Sequence, residues 1–389
     1  MKRYYFDYAA ATSCDPRVVK AMDGCWQKNY ANPSSLYEEG RLALQTVETA
    51  REKIAKELSA SKDEIFFTSG GSESDNWAIF GVAKARREEG KHIVISSIEH
   101  KAVRNAAMYL KKQDYQIDQC PVNEDGLLNL YEMERLIGAD TVLVSVIMAN
   151  NEIGTIQDIK KISQVIKKKN PKTYFHTDAC QATNFLQLNV DKLGVDLLTI
   201  NASKIYGPRG IGVLYIQEGT KIAPLIYGGG QEKGLRAGTE NVAGVVGMAE
   251  SLVIASRIRE GESKRLQYLR DKIIYFVKKN ISEAVLNGSM KERLPNNINF
   301  SFSGAEGESL VLYLDDQGFS VSTGSACSAS DLSPSHVLLA IGQKKELAHG
   351  SLRITLGRWT SEEGVDSLLQ VLPGIVDKVR MMSATYLNK

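Results

Sequence analysis

Residues 173–216 read TYFHTDACQATNFLQLNVDKLGVDLLTINASKIYGPRGIGVLYI. Three short apolar runs stand out in this stretch, Thr173–Thr177, Val195–Ile200 and Ile211–Ile216, separated by turn-rich or helix-compatible residues. Outward from it, similar runs occur at Ile65–Thr68 (IFFT), His92–Ser96 (HIVIS) and Thr141–Ile147 (TVLVSVI). Continuous apolar strands suit a sheet covered on both faces, and their alternation with helices predicts an α/β fold with a mainly parallel central sheet. The segment Thr46–Leu58 places Val47, Ile54 and Leu58 on one helical face among charges, as a helix lying on that sheet would. Near residue 255 the pattern changes. A charged amphipathic stretch, Ser256–Lys279, leads into strands near Asn296–Phe302, Phe319–Ser322 and Leu352–Thr355, which reads as a smaller α+β C-terminal domain. No repeat or long linker separates the two parts, so a shared interface and cleft are expected.

Composition narrows the function classes. The 389 residues carry 48 Lys and Arg against 46 Asp and Glu, a formal charge of +2, too balanced for general attraction to nucleic acid or an anionic membrane. The expected partners are small molecules or proteins. Cys14, Cys25, Cys120, Cys180 and Cys327 are odd in number, scattered and without zinc-ligand spacing, which predicts a reducing compartment and no metal site. Asp7 interrupts the apolar residues after Lys2 and Arg3, and no apolar run reaches the ~18 residues of a membrane span. A cytoplasmic chain is expected.

In parallel sheets ligands collect at the carboxyl ends of the strands, so the residues that follow each run are the candidates. After IFFT comes Thr68-Ser69-Gly70-Gly71-Ser72-Glu73-Ser74, which is either a phosphate cradle at a helix N-terminus or an ordinary capped turn; it is neither a Walker loop nor a dinucleotide fingerprint. After TYFHT, Asp178 can pair with a cationic ring nitrogen and Gln181 can donate to a phenolic oxygen, or Asp178 can cap a helix. After VDLLTI, Lys204 sits where a strand meets a Gly/Pro turn, suited to Schiff-base chemistry if desolvated and otherwise a surface charge. His100 and Asn151 follow their strands in the same way, and Arg353 lies in an apolar strand-like run. The small polar residues around Cys327 mark an accessible thiol, whereas the other four cysteines read as inert.

Together, in order and spacing, these segments resemble the cysteine desulfurases, pyridoxal-phosphate enzymes of the class V aminotransferase superfamily with transferase fold type I. The likeness runs from Tyr5–Thr12 (YFDYAAAT) to Leu356–Arg358 (LGR). The Gly324–Cys327 run ahead of Pro334-Ser335-His336 is similar to the branch serving nitrogen fixation and iron–sulfur assembly. The resemblance implies a large cofactor-binding domain over 15–254, and a small domain, 1–14 with 255–389, carrying the cysteine segment. It implies that Lys204 holds pyridoxal phosphate as a Schiff base, that Asp178 keeps the ring nitrogen protonated, that Gln181 reaches the ring hydroxyl, and that His100 covers the ring and moves protons. Gly71, Ser72, Ser203 and Thr239 of the partner subunit would hold the phosphate, with Asn201 also at the cofactor. Asn151, beside the cofactor, and Arg353 would fix the carboxylate of L-cysteine. Cys327 would take the sulfur, leaving alanine and a persulfide for an acceptor protein, either an iron–sulfur scaffold or a tRNA-thiolation enzyme. A homodimer is implied as well.

Two departures from the family pattern stand out. Ser203 occupies the place of a histidine before the lysine, which implies weaker phosphate retention. Met148 stands where some relatives have histidine, and the cysteine segment is one residue shorter before Pro334. Two other readings remain open at this point: another class V enzyme, an aminotransferase or C–S or C–Se lyase, and a cofactor-poor paralogue acting as a binding partner.

Overall fold

The computed structural model describes residues 2–323 and 334–382. A central sheet of seven strands runs, edge to edge, Ile65–Thr68, Gly212–Ile216, Leu197–Asn201, Tyr174–Asp178, Thr141–Ser145, His92–Ser96 and Gln116–Cys120. Gly212–Ile216 pairs antiparallel with both neighbours and every other pairing is parallel, so the mainly parallel expectation is met. Alternate side chains of each strand enter opposite layers, as the two-residue pleat dictates. Val94 points into a core shared with the helices Glu38–Leu58 and Ile159–Lys169, while Ile93 and Ile95 enter a second core under Gly71–Ala85 and Lys101–Lys111. Burial on both faces explains why these strands are continuously apolar.

A second sheet, order Ser351–Thr355, Asn297–Phe302, Ala284–Leu286, is antiparallel and packs under the helices Gly307–Asp316 and Glu362–Met381. The N-terminal Tyr4–Tyr5 pairs with Phe319–Ser320, and Phe6 enters the same apolar cluster, so both ends of the chain build this smaller unit. One helix, Val242–Asn280, contributes Val242 to Leu252 to the large core and Leu266 to Val277 to the small one. The boundary expected at residue 255 therefore falls inside a continuous helix. No helix among the described residues is long and apolar enough to cross a membrane.

Candidate active site

Parallel strands leave their following loops on one edge of the sheet. Here the loops after residues 68, 96, 145, 178 and 201 gather around a cavity of about 280 Å³. Among its lining residues are nine that the sequence singled out: Gly71, Ser72, His100, Asn151, Asp178, Gln181, Asn201, Lys204 and Arg353. Lys204 comes from the turn after Leu197–Asn201, and its Nζ donates to the carbonyls of Ala9 at 2.9 Å and Ala10 at 2.5 Å. Gln181 Nε2 donates to the Ala9 carbonyl as well, at 2.8 Å, so the turn at Ala9 and Ala10, after the N-terminal strand, forms one wall. Asp178 ends its strand buried, with Oδ1 accepting from the Cys180 amide at 2.9 Å. His100 caps the helix Lys101–Lys111, its Nδ1 accepting from Ala102 N at 3.2 Å, which leaves Nε2 to carry the proton of the neutral ring. Arg353 enters from the small unit; its Nη2 donates to Asp7 Oδ1 at 2.8 Å and its Nη1 to the Asn151 carbonyl at 3.1 Å.

The glycine turn has the form of an anion cradle. Gly70 precedes the fifteen-residue helix Gly71–Ala85 and supplies no side-chain cap, so the first amides point outward unspent. A Cβ at Gly71 would lie 2.9 Å from Cys180 Sγ and 3.5 Å from Asn201 Nδ2, so glycine lets the helix start this close to Cys180 and Asn201. Ser203 lies beside this floor rather than on it. Its hydroxyl donates to Asn201 Oδ1 at 3.2 Å, and its carbonyl accepts from Thr12. Thr239 is exposed and is not among the lining residues. Cys327 lies outside the described residues.

Residues 4–368 match the pattern of a family described as aminotransferase class-V. The chain belongs to that family. Within it, the chain is 50% identical over 384 residues to cysteine desulfurase IscS of Dictyoglomus turgidum, covering 98% of this chain and 97% of that protein. A solved NifS-like protein, 38% identical, superposes with a TM-score of 0.91 over 97% of this chain and all of its own. A solved structure of SspA in complex with cysteine, 35% identical, gives 0.80 over 92% of this chain and 99% of its own. These likenesses place the chain in the cysteine desulfurase group of the family.

The floor of the cavity in this class V chain also holds acids that the sequence reading passed over. Asp75 and Glu99 line it beside Asp178, and donor atoms of Asp75, His100 and Asp178 lie within 4.8 Å of one another. Burial, reinforced by the Asp178 charge, holds the Asp75 carboxyl well above its usual range. Burial likewise pushes Glu99 up to about 8, against hydrogen bonds from Ser96 and from Ile147 N at 2.7 Å. Full burial lowers His176 to about 4, so the imidazole is neutral between Ser145 and Thr199 and offers these acids no positive charge. Glu152 is pushed up to about 7 by burial, opposed by its bond from Ser335 and by Arg353, Lys101 and His100. Burial and the nearby Asp178 and Asp75 raise the Cys180 thiol, keeping it protonated. Adjacency was the available signal: Glu99 precedes His100, Glu152 follows Asn151, and Asp75 follows the quoted glycine turn.

Proposed function

We propose that this chain is a pyridoxal-phosphate-dependent cysteine desulfurase, converting L-cysteine to L-alanine and passing the sulfur to Cys327 as a persulfide. The observation that carries the reading is the meeting of Lys204, Asp178, Gln181 and an uncapped helix N-terminus in one cavity. That donor set fits the cofactor: an amine for its aldehyde, a buried carboxylate for its ring nitrogen, an amide donor for its hydroxyl, and free backbone amides at Gly71 and Ser72 for its phosphate. When bound, pyridoxal phosphate supplies a protonated ring that withdraws electrons from the substrate's α-carbon.

The chain's own residues supply the rest. Arg353, steered by Asp7 and the Asn151 carbonyl, presents a fixed guanidinium to the substrate carboxylate, with Asn151 beside it. His100 and Lys204 gain or release protons inside the cavity, His100 through Nε2. The C–S bond of cysteine breaks as an S–S bond forms to the Cys327 thiol, and the carbon that loses sulfur gains hydrogen. Cysteine plus a thiol thus gives alanine plus a persulfide with no outside oxidant or reductant. Cysteine as substrate is supported by the relatives' names and by the SspA complex.

The same reading gives Asn201 and Ser203 cofactor contacts from the turn before Lys204, and takes the chain as a cytoplasmic homodimer in which Thr239 of the partner subunit reaches the phosphate. The exposure of Thr239, which does not line the cavity of its own chain, supports that arrangement. The division into 15–254, and 1–14 with 255–389, is supported by the apolar cluster that Phe6 shares with Leu266 to Val379, while Leu294 joins the large core and Ile98, Ile147 and Ile153 pack with Val337, Leu338 and Ile341 across the boundary. The persulfide goes on to an iron–sulfur scaffold or a tRNA-thiolation enzyme.

Purified protein should be yellow, and borohydride should fix the cofactor to Lys204. After incubation with cysteine, mass spectrometry should find one added sulfur on Cys327. A colourless protein that cannot be reconstituted, or a Cys327→Ala variant that forms alanine at the native rate, refutes the reading.

A further inference from the structure

We propose that Glu152 is a positioning residue for sulfur transfer: its carboxylate fixes, beside the cavity, the C-terminal foot of the segment that carries Cys327. This inference rests on the cysteine desulfurase reading and adds to it a residue that acts through Ser335 rather than on the substrate.

Both described ends of that segment are tied to two consecutive residues. On the N-terminal side, Ser322 and Arg353 exchange main-chain hydrogen bonds, Arg353 N to Ser322 O at 2.7 Å and Ser322 N to Arg353 O at 3.1 Å, and the Arg353 side chain donates to the Asn151 carbonyl. On the C-terminal side, Ser335 Oγ donates to Glu152 Oε2 at 2.5 Å. The same hydroxyl accepts from Val337 N at 3.1 Å and Leu338 N at 3.3 Å. A hydroxyl has one proton and two acceptor sites, so Ser335 spends its only proton on Glu152 and ties the turn of His336–Ala340 to the cavity wall. Glu152 is itself held rigidly. Its amide donates to Asn150 Oδ1 at 2.8 Å, and its carbonyl accepts from Asn297 at 3.3 Å and Asn299 at 3.1 Å.

The choice of residue is otherwise hard to explain. Glu152 is 5% exposed and lines the cavity together with Arg353. A buried carboxyl there carries a desolvation cost and repels the carboxylate of an incoming amino acid. What it provides is a strong acceptor for Ser335. Cys327 lies five residues after Ser322 and eight before Ser335. A tether of five residues spans at most about 18 Å, enough to reach a cavity lined by Ser322's own partner Arg353. The bond from Ser335 to Glu152 fixes, at the cavity wall, the point from which the eight residues back to Cys327 start, and a fixed origin lowers the entropic cost of bringing a group on that chain to the substrate.

The test is a double-mutant cycle on the holoenzyme in a single turnover without added thiol. Persulfide on Cys327 is followed by mass spectrometry, and cysteine binding by the absorbance change of the bound cofactor. Glu152→Ala and Ser335→Ala should each slow persulfide formation by about tenfold or more, as loss of a hydrogen bond to a charged group implies. In Ser335→Ala, which leaves the cavity lining in place, the cysteine dependence of the absorbance change should stay within about twofold of native, and the double variant should be no slower than the slower single one within the same margin. Glu152→Gln, whose amide oxygen still accepts, should recover most of the rate. Should Glu152→Ala not fold, Ser335→Ala and its combination with Glu152→Gln make the same comparison. Native rates in the single variants, losses that multiply in the double, or a raised KM with unchanged kcat would overturn the proposal. If native holoenzyme shows neither an absorbance change nor alanine, the desulfurase reading itself fails and this inference falls with it.

Discussion

Glu99 sits directly before His100, fully buried, with Oε1 accepting from Ile147 N and from the Ser96 hydroxyl, while Oε2 has no hydrogen-bond partner among the described residues. Its carboxyl holds a proton up to about 8 in the folded chain, whereas an unfolded glutamate releases it near ~4.3. Between those values the native state binds the extra proton, so this group's contribution to stability falls as pH rises through that window. A Glu99→Gln variant lacks the titration. Between pH 5 and pH 9 it should lose at least ~1 kcal/mol less stability than the native protein, read from unfolding curves at several pH values. Parallel losses in the two proteins would mean that Glu99 is ionised throughout. Single residues were legible in the sequence where a strand's end announced them, as with Asp178, Lys204 and His100. Acids such as Asp75 and Glu99 were not, because an acidic letter does not say whether its neighbours remove it from water.

Among elements, the edge strand Ile65–Thr68 shows how a side chain can finish a sheet. Phe67 N would face outward unpaired, and it donates instead to Glu232 Oε2 at 2.8 Å. Glu232 is bound in turn by both terminal nitrogens of the buried Arg51, at 2.9 and 2.7 Å, and Arg51 also donates to the Ile65 carbonyl at 2.6 Å. The segment 228–239, which carries Glu232 and Thr239, is thereby fastened to the sheet edge, with Glu232 itself in the left-handed region at φ 46°. Glu232→Ala would leave the buried Arg51 with Glu48, at 2.9 Å from its Nε, as its remaining ion-pair partner among the described residues, and should cost ~1–3 kcal/mol, visible as a fall in the denaturant midpoint; Glu232→Gln should cost less. A loss under ~1 kcal/mol for the alanine variant would show that water reaches Arg51. The six buried strands of the central sheet begin and end within two residues of the apolar runs in the sequence, because burial on both faces makes them apolar throughout. The seventh, Gln116–Cys120, escaped notice: its QIDQC is mostly polar, with Gln116 and Gln119 exposed and only Ile117 and Cys120 buried. That Gly212–Ile216 runs antiparallel between two parallel strands was also illegible, since direction depends on where the chain turns back and not on apolar content.

For the molecule as a whole, the helix Val242–Asn280 is the member common to both cores. Between Ala255 and Leu266 none of its residues is buried, and a Cβ built at Gly261 meets nothing within 4 Å. Gly261→Ala should therefore stabilise the protein by about 0.5–1 kcal/mol, through helix propensity and a less flexible unfolded chain, without altering turnover. Unchanged or lower thermal stability would indicate that the bridge needs to flex there. The sequence alone determined the parallel α/β core and most of the cavity's residues, because buried strands must be apolar and parallel strands leave their following loops on one edge. Only the tertiary structure decided that Asp7 and Arg353 meet across 346 residues, that Glu152 meets Ser335 across 183, and that Asp75 and Glu99 share a floor with Asp178. Such partners are chosen when two cores dock, and the energy of each contact depends on how much water that docking removes.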